Sequence, residues 1–253
     1  MEKEVTHTYD IMEVCLLAGK IMLQSGAETY RVEDTMSRIA HSFGVKESHS
    51  FVTPTGIIFS VESEEPTKTK LIRITERTTD LHKVTLVNSI SRNISSGEMT
   101  LEKAYHELKE VEESKLTFKM TTQILAAAIS SGCFLIMFQG EWADFLSAFI
   151  AGGAGLWSLI YFHRLVPIKF FSEFVASLII GILSFLFVKI GVGHELDKII
   201  IGSVMPLVPG LLLTNAVRDL MAGHLVSGIS KGAEALLTAF AIGSGIAIVL
   251  SFL

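Results

Sequence analysis

Apolar residues follow two regimes along this chain. Up to about residue 117 they alternate with polar ones at helical or strand spacing, and beyond it they run almost unbroken between isolated charges. In the first regime Ile11, Val14, Ala18, Ile21 and Met22, then Val32, Met36, Ile39 and Phe43, recur three and four apart, which predicts two helices within residues 10–44. Ser25-Gly-Ala-Glu28 between them has the S-x-x-E form of a capping box, so the second helix is expected to start after Ser25, with Gly44 placed to end it. Glu28, Tyr30, Arg31, Glu33 and Asp34 read as the solvated charged face of that helix. Phe51–Thr53, a Pro54-Thr55-Gly56 turn, Ile57–Val61, a polar loop around Glu64-Glu65-Pro66 and Thr69–Glu76 predict a small antiparallel sheet. Helices from about Leu81 to Ser95 and from a Thr100 N-cap to Glu113 follow, the latter with Leu101, Ala104, Leu108 and Val111 on one side.

In the second regime, charges bracket long uncharged stretches: 21 residues between Lys119 and Glu141, 19 between Asp144 and Arg164, 19 between Lys198 and Arg218, and 19 from Ala235 onward. Each matches the roughly 20 residues a helix needs to cross the hydrocarbon of a bilayer. Ile168–Ile190 is similar, with Lys169 and Glu173 near its start. The reading is a polytopic α-helical membrane protein with five spans (about 119–140, 144–163, 168–190, 198–217 and 233–253), behind an N-terminal cytosolic α+β domain of residues 1–117. The membrane domain is 118–253. With the first domain in the cytoplasm, Lys115, Lys119, Arg164, Lys169, Arg218 and Lys231 fall inside and only Lys189 and Lys198 outside, which favours N-in, C-out. The N-terminal residues lack a basic stretch followed by a short apolar one, so no secretory signal is expected there.

Composition sharpens this division. Residues 1–117 hold 14 of the 21 Lys and Arg and 19 of the 26 Asp and Glu, leaving 7 of each for the remainder. The second half is too poor in charge to be a water-soluble domain, and neither half has the basic excess that neutralising phosphates requires, so nucleic acid is not an expected partner. Cys15 and Cys133 stand alone, without a disulfide framework or a metal set. No phosphate-binding loop, H-E-x-x-H, G-x-S-x-G or Cys/His cluster occurs, so neither enzymatic activity nor a cofactor or metal is expected.

Fifteen of the 20 glycines lie in the second half, many four residues from another small residue: Ala128/Gly132, Ala148/Gly152, Ala151/Gly155, Ala239/Gly243 and Ala241/Gly245. Such spacing lets membrane helices approach closely. The fourth span carries Pro206, Pro209 and Gly210 near its middle, which predicts a broken helix in preference to a simple kink. Broken helices at mid-depth present free backbone groups to a polar solute, as transporters use them. Asn215, Arg218 and Asp219 share one helix face. The Arg fork could take a carboxylate and Asp219 an ammonium or a proton; the alternative is a paired and hydrated span end. For Glu173 an interfacial i, i+4 pair with Lys169 is preferred to a proton-carrying role. His163, His194 and His224 fall at span ends and receive none.

Ala18-Gly-Lys-Ile-Met-Leu-Gln-Ser-Gly26-Ala-Glu28-Thr29-Tyr-Arg31-Val-Glu33, together with Pro206-Leu-Val-Pro209-Gly210, Asn215 and Arg218-Asp219, resembles the threonine/serine exporter-like family in its split, two-protein form, over nearly the whole chain. The resemblance implies a cytoplasmic-membrane exporter of small metabolites, threonine and serine or succinate-like dicarboxylates, coupled to protons. It also implies a smaller membrane protein as partner to supply further spans. Gly26, Glu28, Thr29, Arg31 and Glu33 carry over as a family signature without a role. A homo-oligomer stays open, as does a membrane-tethered regulatory module whose soluble domain binds a ligand or partner.

Overall fold

The computed structural model describes residues 2–62, 67–114, 117–166, 168 and 170–252, with side chains from residue 8 onward. The loop at Glu64, Glu65 and Pro66, together with Lys115 and Lys169, lies outside them. By contact the chain divides into two units, Met1–Thr117 with Leu211–Gly232, and Phe118–Gly210 with Ala233–Leu253. The sequence-based division at 117/118 kept residues 211–232 with the membrane half. Here they group with the first unit, because their polar side chains find their partners there, as described below.

The first unit holds α1 (Glu2–Gln24), α2 (Thr29–Ser42), the strands β1 (Glu47–Thr53), β2 (Gly56–Glu62) and β3 (Lys68–Arg73), α3 (Leu81–Ser95) and α4 (Leu101–Glu113). The strands form one antiparallel sheet in the order β1-β2-β3, with Val52 opposite Ile57 and Ile57 opposite Ile72. Its inward residues Val52, Ile57, Phe59 and Val61 meet Met12, Leu16, Met22, Met36 and Ile39 of the helices and Leu108 of α4 in one core. Asp80 and Thr100 cap α3 and α4 by accepting the backbone N–H of Lys83 and Lys103. Gly44 ends α2 with a φ of 87° that a residue bearing Cβ adopts only at a cost.

The second unit contains α5 (Met120–Met137), α6 (Phe145–Leu165) after a 3-10 turn at Trp142–Asp144, α7 (Phe171–Lys189) and α8 (Leu196–Val204). It also takes in most of the long last helix. Among the described residues, four helices are long and apolar enough to cross a membrane, and five if the interrupted fourth segment counts as one span. The interruption has a local cause. Pro206 and Pro209 donate no N–H, α8 gives way to a 3-10 turn at Met205–Leu207, Val208 is extended (φ −65°, ψ 130°), and a new helix α9 (Gly210–Met221) begins. A last helix, α10, runs over Leu225–Ser251.

Small residues seat these helices against one another. A Cβ on Gly152 of α6 would lie 1.9 Å from the Ser131 hydroxyl of α5, one on Gly155 2.4 Å from Ile180 of α7, and one on Gly245 of α10 2.2 Å from the Ser177 hydroxyl. One expected pair fails this test: Ala239 and Gly243 are exposed, and nothing lies within 4 Å of a Cβ at Gly243. Periodicity alone does not reveal which face of an apolar helix is covered. Leu125, Ile129, Ile182, Leu186, Leu236 and Phe240 are exposed on the outer faces, as helices solvated by acyl chains require. Trp142 near one end of α6 and Trp157 and Tyr161 toward the other are exposed aromatics at the spacing of interfacial girdles.

Candidate functional site

The site is built on the turn between α1 and α2. Ala27 donates its N–H to Met22 O and Gly26 donates to Leu23 O, with Gly26 at φ 90°, so Ser25 and Gly26 belong to the closing turn of α1. The capping box expected at Ser25 is therefore absent. The second helix starts four residues after Ser25, at Thr29, with Glu28 in the N-cap position and no side-chain cap of its own. That leaves the free N–H groups and positive end of α2 to an outside anion.

Asp219 of α9 supplies it. Its Oδ1 accepts the Thr29 N–H at 2.9 Å and its Oδ2 the Thr29 hydroxyl at 2.9 Å, across 190 positions of sequence. Lys231 of α10 donates to the same Oδ2 at 2.8 Å and to Ala27 O at 3.3 Å. Thr29 and Asp219 are fully buried and Lys231 is 3% exposed. A carboxylate removed from water to this degree requires a cation and several donors, and it has both.

Beside it, Arg218 donates to Glu28 Oε1 at 2.6 Å while Arg31 approaches Glu28 Oε2 at 3.4 Å. Burial works upward on the Glu28 carboxyl, but its own backbone N–H, the Arg218 hydrogen bond and the two guanidinium charges outweigh it, holding the group below the ordinary carboxylate value. Asn215 completes the row by donating to Gly26 O at 2.8 Å. Further round the same surface, Glu33 accepts the Val52 N–H at 2.9 Å and stands 3.8 Å from His224 Nδ1, and Ser227 donates to Val52 O at 2.9 Å. Burial, with the nearby Asp219 charge, pushes the Glu33 carboxyl up against the opposing pull of Val52 and His224.

Asn215, Arg218 and Asp219 thus meet the very residues of the 26–33 signature, and the expected solvated face is corrected: Glu28 is buried and Glu33 half-buried. In the structure the Arg218 guanidinium is paired with the Glu28 carboxylate and Asp219 with the Lys231 ammonium, both within the chain. Arg218 keeps 55% of its side chain exposed and Lys231 only 4%, so one cation is open to exchange and the other closed. Pro206, Pro209 and Gly210 lie at the helix break of the second unit. Glu173 is half-buried on α7, and its expected partner Lys169 lies outside the described residues.

Sequence reasoning missed three groups. Lys231 was counted only as a flanking positive charge, although a lone Lys one turn inside a long apolar helix was the available signal. His224 received no role and faces Glu33. His194, likewise dismissed, joins the backbone N–H of His194 and Glu195 in binding the fully buried Asp144 carboxylate, at 3.2, 2.7 and 2.9 Å.

Residues 13–253 match the family model described as putative threonine/serine exporter. The chain is 26% identical to the probable succinate transporter subunit YjjP of Escherichia coli over 95% of this chain and 94% of that protein, and 24% identical to the protein of the same description from Klebsiella aerogenes over 97% and 95%. It is also 24% identical to the threonine/serine exporter of Corynebacterium glutamicum, over 93% of this chain but 50% of that protein. No solved structure matches.

Proposed function

Since this chain belongs to the threonine/serine exporter family, a multi-pass membrane family, we propose that it is one subunit of a secondary exporter of small carboxylate-bearing metabolites, amino acids or dicarboxylates, in the cytoplasmic membrane. A second, smaller membrane protein supplies the remaining spans. The half-length match to the Corynebacterium exporter, against the near full-length match to proteins described as subunits, supports this division of labour.

The observation that carries the reading is the pairing of Arg218 with Glu28 beside that of Asp219 with Lys231. A solute bearing a carboxylate competes with Glu28 for the open Arg218 fork, and one bearing an ammonium competes with Arg218 for Glu28. Binding by exchange of an internal pair avoids leaving a bare buried charge at either stage. The interrupted segment at Met205–Gly210 supports a polar path, since unpaired backbone at membrane depth is tolerated only where it faces protein or water.

The excess of Lys and Arg on one side of the five spans supports an orientation with the N-terminus in and the C-terminus out. In this scheme Glu173 is the candidate carboxylate for a coupling proton.

Liposomes containing the chain and its partner, preloaded with labelled serine, threonine or succinate, should release label faster than liposomes without them. Unchanged release overturns the exporter reading. Arg218→Gln should slow release of carboxylates by at least about tenfold while insertion is retained, and a fully active variant removes Arg218 from the route. A single cysteine at residue 252 should react only with reagent added to the outer face of cells.

A further inference from the structure

The two edges of the sheet in the first unit are finished differently. At β1 the outward N–H and C=O of Val52 are taken by the Glu33 carboxylate and the Ser227 hydroxyl, each at 2.9 Å. At β3, the other edge strand, the outward backbone groups have no such cover among the described residues. We propose that this edge is where two copies of the chain meet: β3 pairs antiparallel with β3 of a second copy about Leu71, joining two three-stranded sheets into one. The pairing does not rest on the exporter reading.

The register within the sheet determines which backbone groups are free. Ile74 donates its N–H to Thr55 O at 3.0 Å, one position beyond the Gly56–Arg73 pair. Bonded and non-bonded pairs alternate along an antiparallel ladder, so Ile72 and Lys70 turn their N–H and C=O to β2, while Thr69, Leu71 and Arg73 turn theirs outward. Those three residues lie symmetrically about Leu71. When Leu71 faces Leu71 of a second copy, Thr69 faces Arg73 and Arg73 faces Thr69, and the outward groups of all three are paired. No Pro, Gly or bulge interrupts Lys68–Arg73 to prevent this.

The side chains agree with that register. Phe51, Ile58 and Leu71 stand opposite one another across the strands and are all exposed, so an apolar row crosses the outer face and ends at the open edge. Leu71 is the most exposed of the three, at 64%. Exposed apolar residues scattered singly need no partner, but contiguous ones mark a contact. Basic residues on an edge strand ordinarily oppose association. Here Lys70 is held by its own chain, its Nζ 3.4 Å from the Tyr9 hydroxyl and over the Tyr9 ring, and Lys68 is engaged as well. Arg73 stands opposite the uncharged Thr69 of the second copy. Centring the pair on Lys70 instead would set two lysines directly opposite, which costs stability.

A single strand pair buries less than the roughly 1,200 Å² of a standard complex. The contact is therefore weak in itself, and confinement of both copies to one bilayer strengthens it by raising their effective concentration.

The test is disulfide cross-linking of the full-length chain in membranes, with Cys133→Ala as background and the buried Cys15 kept. Leu71→Cys should give a linked dimer on mild oxidation, because the Cα atoms of a directly opposed bonded pair are about 5.5 Å apart, within disulfide reach. Ile58→Cys lies on the same exposed row but three strand spacings of about 4.8 Å from its copy, and should not link. Two differently tagged chains, one with Thr69→Cys and one with Arg73→Cys, should link to each other. Adding Leu71→Lys to both should cut that yield at least about fivefold by setting like charges opposite. Leu71 is exposed, so this variant keeps the fold. Failure of Leu71→Cys to link overturns the pairing, whether the edge is then bare or covered by a strand of another protein. Equal linking at Ile58→Cys, the sign of chance collision, overturns it too, as does a Thr69→Cys to Arg73→Cys link indifferent to Leu71→Lys.

Discussion

Two fully buried aspartates pose the same physical problem in the two units and are met in different ways. Asp219 in the first unit sits at the N-terminus of α2 and is matched by a buried ammonium, Lys231, besides the donors of Thr29. Asp144 in the second sits at the N-terminus of α8 and is held by the backbone N–H groups of His194 and Glu195 and by an imidazole that is 59% exposed. Where a helix end and two or three donors suffice, a carboxylate can be buried without a buried cation. Where a cation is buried with it, the pair becomes an all-or-nothing arrangement.

That difference predicts the largest effect in the molecule. Asp219→Leu leaves the Lys231 ammonium uncompensated in a closed site, at a cost of about 3–5 kcal/mol. Lys231→Met strands Asp219 in the same way. The double variant Asp219→Leu with Lys231→Met should regain most of that loss, since an apolar pair of similar volume is often neutral. Chemical unfolding of the purified chain reads both, and strictly additive losses would mean that the two groups do not depend on each other. Asp144→Ala removes a cap but strands no buried charge, so about 2 kcal/mol is expected, the upper end of capping effects. A loss as large as that of Asp219→Leu would remove the contrast between the two sites.

The helix contacts of the second unit come next. Gly152→Ala forces a methyl to within 1.9 Å of the Ser131 hydroxyl and should cost about 1–3 kcal/mol, whereas Gly243→Ala meets nothing and should change stability by less than about 0.5 kcal/mol. Equal effects at the two glycines would remove the assignment of covered and lipid-facing sides.

Much of this architecture was legible in the sequence, and what was not has a physical reason. The start of α4 follows from Thr100, the extent of α3 and α4 from apolar spacing, and the spans from charge-free runs, because these signals are local. The break at Pro206 and Pro209 is legible for the same reason, since a missing N–H needs no partner to act. The polar contacts between α9 and the turn before α2 are different. Asn215, Arg218 and Asp219 could be named as one polar face, but their partners lie 189 or 190 residues away, and no periodicity reports on so long a separation. The capping box misled for a related reason. Ser25 and Glu28 have the right letters, yet Gly26 closes α1 first and Arg218 draws the Glu28 carboxylate away.

The smallest effect to test lies in the two glutamates of the signature, whose carboxyl groups are shifted in opposite directions. Glu28 is held below the ordinary value of 4.5, so its contribution to stability is present above that pH and is lost as pH falls through the lower folded value. Glu33 is raised above 4.5, so the folded state takes up its proton more readily than the unfolded chain does. Its contribution is full below the ordinary value and is lost as pH rises through the folded one. Glu28→Gln should therefore blunt the loss of stability on acidification below 4.5, while Glu33→Gln should flatten the decline just above it. His224 pulls the Glu33 value down, so His224→Ala should move that decline to higher pH. Unfolding midpoints measured across this range decide the matter: if Glu28→Gln and Glu33→Gln change the profile with the same sign, the two carboxylates do not stand in the opposed environments that their hydrogen bonds to Arg218 and Val52 assign them.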